Sequence, residues 1–268
     1  MSDFPNKDFL FSIRVIPASD TNSVLELNQT HFHNKYELYF LGKGIVDFFM
    51  GNSIYKLQPN DLVIVPPNTY HCARLQNNNL YERTVIQFSP DYFDPKLFFE
   101  LNMLLPFYRI SSDNALYHLI NHVKNIWNTY TDAEERFTCI SKTAYLILTE
   151  LYKRTNRALS EIPTVQHPLS NVVQYIDENL HLPLTVNSIA QKFFFSTSYL
   201  SHNFQKYMHL SLKQYINHKK ILAAEQLIQS GTPVMKAAEQ CGFTNYSTFY
   251  FQYKKILGNA PRPINDEQ

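Results

Sequence analysis

Residues 236–261 read KAAEQCGFTNYSTFYFQYKKILGNAP, and residues 182–207 read LPLTVNSIAQKFFFSTSYLSHNFQKY. The two stretches are weak copies of one another. Ile189-Ala190 recurs as Ala237-Ala238, and Ser196 recurs as Thr244, both 48 positions further on. Past the turn the offset becomes 49, so Leu200 matches Phe249, Phe204 matches Tyr253 and Lys206 matches Lys255. Each copy has the pattern of a short helix, a tight turn and a second helix.

The residue types suit that geometry. Ala190 and Ala238 are small where two helices must cross closely. Thr185 and Ser196 are placed to cap successive helices, and Gly242 supplies the left-handed residue that a tight turn needs. Leu200, Phe204 and Tyr207 share the core-facing side of the second helix. Ser198, Ser201, His202 and Gln205 fall on its other side, a polar face with no acid to repel phosphate. In the second copy Asn245, Ser247 and Tyr250 are presented outward. Residues 213–231, KQYINHKKILAAEQLIQSG, join the copies as one helix, with Ser211 as N-cap, Leu212 to Gln229 as body, and Gly231 with Pro233 as stop. Its eighteen residues make a rod of about 27 Å. Such a rod can hold two reading helices nearly one turn of DNA apart, about 34 Å.

Charge supports the same division. Residues 1–184 carry 15 Lys and Arg against 19 Asp and Glu, whereas residues 185–263 carry 9 against 2. A basic segment on an acidic one is the footprint of a nucleic-acid module joined to a domain with another task. The 268-residue chain is long enough for two domains. No apolar run is long enough to span a membrane, the first residues lack the pattern of a signal peptide, and Cys72, Cys139 and Cys241 are scattered. These features predict a cytoplasmic protein with no disulfide framework.

The first third reads as strands at 36–41, 45–49, 61–65 and 83–88, short and rich in aromatic and β-branched residues, separated by Gly, Pro and Asn turn signals. Even spacing of short strands predicts a barrel or sandwich at about 10–90. From 113 the period turns helical, with Asp113 as N-cap and Leu116, Leu119, Val123, Trp127 and Tyr130 on one face. A second helix begins near Asp132 and repeats Phe137, Ile140, Ala144, Ile147 and Leu151 as a narrow seam. That seam either packs on its own barrel or meets a second copy of the chain. The expected division is 1–156 for the front domain with helices at about 113–156, a polar linker at 157–168, and 169–268 for the helical domain.

The stretches quoted above, in that order and spacing over 169–263, resemble the AraC/XylS family of bacterial transcription regulators. The resemblance implies an all-α domain with two helix-turn-helix units whose third and sixth helices read the major groove. It points to Thr197, Ser198, Ser201, His202, Gln205 and Lys206 in the first unit as DNA-facing. In the second unit it points to Asn245, Tyr246, Ser247, Tyr250, Phe251, Lys254 and Lys255. The chain departs from the family pattern at Phe194 and His209, which stand where glycine is usual and would need positive φ. His202 and Phe251 stand where arginines commonly face DNA, so a site read through thymine methyls, shape and phosphates is expected.

In the front domain, His31-Phe32-His33, Glu37 and Gly44, followed by Pro66, Asn68 and His71, resemble the two cupin motifs, with Asn68 at a usual glycine. The resemblance implies an all-β cupin-like barrel. In cupin enzymes the residues matching His31, His33, Glu37 and His71 bind a divalent metal, and two imidazoles one residue apart lie on one strand face. In regulators the same residues can bond a small effector without metal. The favoured expectation is a pocket of His31, His33, Glu37, His71 and Tyr39 for a small molecule, a sugar being one candidate, with no cofactor and no catalytic residue. The whole then reads as a promoter-binding regulator, expected to be a homodimer and, if an activator, to meet RNA polymerase. The competing readings are a metal-dependent cupin enzyme with a DNA-binding tail, and an activator that responds to no ligand.

Overall fold

Strand β2 (Tyr36–Lys43) is buried at its first six positions, and β5 (Asp61–Val65) at all five. Strands that read as continuous apolar runs need cover on both faces, and both strands have it. The computed structural model describes residues 9–16, 30–51, 53–76, 80–89, 92, 106–112, 114–155, 164–166, 169–208 and 210–262. Within these, β2 and β5 are central in a sheet ordered β1-β7-β2-β5-β8, where β1 is Phe9–Ile16, β7 Tyr81–Phe88 and β8 Phe107–Arg109. A second sheet runs β6-β3-β4-β9, from His71–Leu75, Val46–Met50, Ser53–Leu57 and Thr164–Gln166. Every pairing is antiparallel.

Alternation along β2 and β5 sends side chains to two different cores. Tyr39, Leu41, Val63 and Val65 join Val46, Phe48, Tyr55 and Leu57 of the second sheet in a core between the sheets. Leu38, Phe40, Leu62 and Ile64 join the helices α1 (Ala115–Thr129) and α2 (Ala133–Thr155). The expected closed barrel is not seen among the described residues; two sheets pack face to face instead. Strands β4, β6 and β8 escape the sequence reading because they are short and interrupted by polar residues. Strand β9 pairs with β4 from inside the span read as linker.

The seam of α2 is settled by burial. Ile140, Ala144, Ile147 and Leu151 have no exposed surface and pack with the first sheet and α1. Of the two alternatives, packing within the chain holds for these four residues, while Phe137 at the start of the seam is half-buried against the same core. The buried stripe of α1 is Leu116, Ile120, Val123 and Ile126. Leu119 and Trp127 only flank it, and Tyr130 is the residue that ends the helix. The stripe turns this way because α1 rests on both the sheet and α2. Asp113 lies outside the described residues; Asn114 caps the helix, accepting from Leu116 N at 2.9 Å.

The structure divides into units Met1–Gln166 and His167–Gln268. The second unit contains α3 (Ser170–Glu178), α4 (Val186–Lys192), α5 (Thr197–Met208), α6 (Leu212–Gln229), α7 (Val234–Gln240) and α8 (Tyr246–Leu257). Reciprocal side-chain caps set two of the starts, Thr185 with Ser188 for α4 and Ser211 with Gln214 for α6. Ser196 Oγ accepts from Tyr199 N at 3.1 Å to open α5. Leu200 and Phe204 of α5 are fully buried, as are their counterparts Phe249 and Tyr253 in α8. Tyr207 is only half-buried and Met208 takes the core position.

Two residues tie the halves of this domain. Lys220 of α6 donates to Leu182 O at 2.9 Å and Gly242 O at 3.2 Å, one carbonyl from each helix-turn-helix half. Gly242 has φ 71, and a Cβ there would stand 2.6 Å from Lys220 Nζ and 2.8 Å from His181 O. Phe194, in the corresponding turn of the first half, holds φ 56 without glycine's freedom. His209 lies outside the described residues.

Candidate functional site

Inside the front unit, β2 places Glu37 on the side that faces the second sheet, where it is almost fully buried. Buried carboxylates need partners, and three side chains supply them. Gln87 Nε2 donates to Glu37 Oε2 at 2.6 Å, His33 Nε2 lies 3.0 Å from the same oxygen, and His71 Nε2 lies 3.7 Å from it. Gln87 is the Cα partner of Glu37 across β7 and β2. Burial alone would raise the Glu37 carboxyl, but the neighbouring imidazoles of His33 and His71 outweigh it and hold the carboxyl well below the usual range.

The backbone orients the imidazoles. His33 Nδ1 is 2.9 Å from Lys35 O, and His71 Nδ1 is 2.9 Å from Thr69 O. A carbonyl at Nδ1 requires the proton there, so the Nε2 edges turn toward Glu37. His31 joins them through the bridge His31–His71, whose backbone hydrogen bonds measure 3.1 and 3.0 Å. The candidate ligand atoms of His31, His33, Glu37 and His71 all lie within 4.8 Å of one another. Asn68 precedes His71 with φ 59, the conformation that glycine would otherwise supply. Tyr39, expected beside them, is fully buried and pairs its hydroxyl with that of Tyr81 at 2.7 Å.

The four residues fit a divalent transition metal by chemistry: three imidazoles, one carboxylate, and carbonyls fixing two of the rings. His71 Nε2 is buried 3.7 Å from Glu37 Oε2, beyond hydrogen-bond distance, and has no hydrogen-bond partner. The same arrangement fits a polar organic molecule that brings its own donors. Gln87 and the Thr69 and Lys35 carbonyls were missed by sequence reasoning. Only strand register identifies Gln87, and backbone groups carry no residue signal.

In the helical unit, α5 exposes Thr197, Ser198, Ser201, His202, Gln205 and Lys206 on one side. Helix α8 exposes Tyr246, Ser247, Tyr250, Phe251, Lys254 and Lys255. Asn245 has a structural task, since its Oδ1 caps α8 by accepting from Thr248 N at 3.0 Å. Neither helix contains an acidic residue. Among the described residues no helix is long and apolar enough to cross a membrane.

Comparison with known proteins bears on the two domains. The Helix-turn-helix domain family matches residues 189–265, and the AraC-like ligand binding domain family matches residues 25–97. The regulator YbfI of Bacillus subtilis, described as an uncharacterized HTH-type transcriptional regulator, is 23% identical over 87% of this chain and 85% of its own. YijO of Escherichia coli, described in the same words, is 33% identical over 45% of this chain, a match that spans 44% of YijO. Among solved structures, ToxT of Vibrio cholerae aligns with 96% of this chain and 96% of its own at 14% identity, TM-score 0.37. A ligand-binding module followed by a DNA-binding double helix-turn-helix defines a transcription regulator. This chain belongs to the AraC family of such regulators.

Proposed function

We propose that the chain is a promoter-binding regulator whose response is set by a small polar molecule seated at His31, His33, Glu37 and His71. The observation that carries this reading is their convergence around the buried Glu37 and His71, with the rings of His33 and His71 oriented by backbone carbonyls, in the domain that does not carry the basic helices. The polar cluster at one end of an otherwise apolar core between two sheets supports a cupin-like reading of the front domain. Three imidazoles, a carboxylate and the Gln87 amide offer the mixed donors and acceptors that sugar hydroxyls need, so a sugar is the effector class of choice. Relatives described as regulators support a role without catalysis. A second copy of the chain and, for an activating output, RNA polymerase complete the partners; the copy would meet a surface other than the α2 seam.

The test is a panel of monosaccharides added to the full chain. A true effector at 100 times its Kd stabilises the protein by about 2.7 kcal/mol, which shows as a raised melting temperature. Glu37→Gln should abolish that shift and blunt the effector's influence on DNA binding while leaving effector-free DNA binding intact. A variant that keeps the shift would remove the effector from this site.

The orphaned His71 Nε2 favours one second reading, a divalent metal held by the same four side chains, supplying Lewis acidity or a fixed anchor for the effector. Elemental analysis of purified protein separates the two. About one metal per chain, lost in Glu37→Gln and on chelation, supports the metal.

A further inference from the structure

The two helix-turn-helix halves share a frame but not a reading surface. At the offset of 49 that superposes their buried residues, Ser198 corresponds to Ser247, Ser201 to Tyr250 and His202 to Phe251. Helix α5 thus offers hydroxyls, an imidazole and the Gln205 amide, whereas α8 offers aromatic carbon. Phe251 is 64% exposed and Tyr250 39%, although Phe249 and Tyr253 of the same helix are buried. Ser247, Tyr250, Phe251 and Lys254 share one helical face by spacing. Lys254 and Lys255 are both exposed at the end of α8, where cations can meet phosphate on either side of a groove.

An isolated exposed apolar side chain needs no explanation. This one lies beside Tyr250 on the outward side of a helix that belongs to a DNA-binding unit, flanked by lysines and free of acids. The partner is therefore duplex DNA. A phenyl ring has no donor or acceptor for a base edge. The one apolar group in the major groove is the C5-methyl of thymine.

We propose that Phe251 is a specificity-determining residue that reads thymine methyls, so that the half-site under α8 is selected by methyl contact and the half-site under α5 by hydrogen bonding. The inference rests on the DNA-binding role of the helical unit and goes beyond it in assigning the two halves different chemistries.

The experiment selects binding sites for the full chain from a random duplex pool, then replaces each thymine of the best site by deoxyuridine, which removes only the methyl. Replacement at one or two positions within a single half-site should weaken binding about fourfold per methyl. Phe251→Ala should equalise the thymine and deoxyuridine duplexes, and Phe251→Leu should keep most of the difference. Because Phe251 is exposed, melting of both variants should match the parent. A selected site whose affinity ignores the methyls, or a Phe251→Ala variant that still discriminates, overturns the inference while leaving DNA binding intact. If no sequence is enriched, the sequence-specific DNA reading fails and takes the inference with it.

Discussion

The two units keep their candidate functional groups in opposite places. In the front unit the polar set is centred on the buried Glu37 and His71, and Glu37 depends on Gln87, His33 and His71 for its compensation. In the helical unit the candidate groups lie on the outside of α5 and α8, and the core beneath them is apolar. A buried site of the first kind is inseparable from the packing that forms it, because an unpaired buried charge is costly. An exposed face of the second kind can change residue by residue at little cost in stability. A ligand seated at the buried cluster would therefore change only with the whole cluster, whereas a DNA site read by α5 and α8 would change one side chain at a time.

That contrast is broken or sharpened by substitutions in each unit. The largest effect is expected where burial is complete. Ile140→Asp with Ile147→Asp places two charges in the core shared by α2 and the first sheet, at a cost above about 4 kcal/mol. Circular dichroism should show loss of the front fold. A double variant that stays folded and merely loses mass in sedimentation would reinstate the seam as a contact between copies.

Next in size is the salt response of DNA binding by the full chain. The helical segment 185–263 holds nine basic side chains. If about six of these meet phosphates, affinity should fall about a thousandfold between 50 and 200 mM salt. Lys206→Ala and Lys255→Ala should each reduce the logarithmic salt slope by about 0.9 and weaken all duplexes alike. A flat salt profile would remove the electrostatic part of the interface.

The smallest effect concerns the backbone alone. Phe194 is 96% exposed at φ 56, so its ring contributes no packing while its Cβ strains the turn. Phe194→Gly should raise the midpoint of denaturant unfolding, worth up to about 1 kcal/mol. An unchanged or lowered midpoint would mean that the ring has a task in the turn.

Much of the helical unit was legible because its signals are local. Ser211, the body Leu212 to Gln229 and the stop at Gly231 are found where the caps and the period place them. Thr185 and Ser196 cap the helices that follow them. Positive φ at Phe194 follows from one turn geometry shared by two halves, and Gly242 shows the same conformation. The front unit was legible in its central strands, where both faces are apolar, and less so at β4, β6 and β9. β6 and β9 gain their order from neighbours further off in sequence, β9 from a pairing across about a hundred positions, whereas β4 completes a hairpin with β3 but alternates too weakly to be read.

The linear order of residues was enough for the two-part organisation, the paired helix-turn-helix halves and the choice of His31, His33, Glu37 and His71 as candidates. Each rests on residue types, charge or fixed offsets that need no knowledge of packing. Tertiary structure decided three further matters. It directed the α2 seam inward, because periodicity shows that a face is apolar but not which surface covers it. It paired the Tyr39 hydroxyl with that of Tyr81. It also added Gln87 to the cluster, because strand register arises only when segments far apart in the chain are brought together.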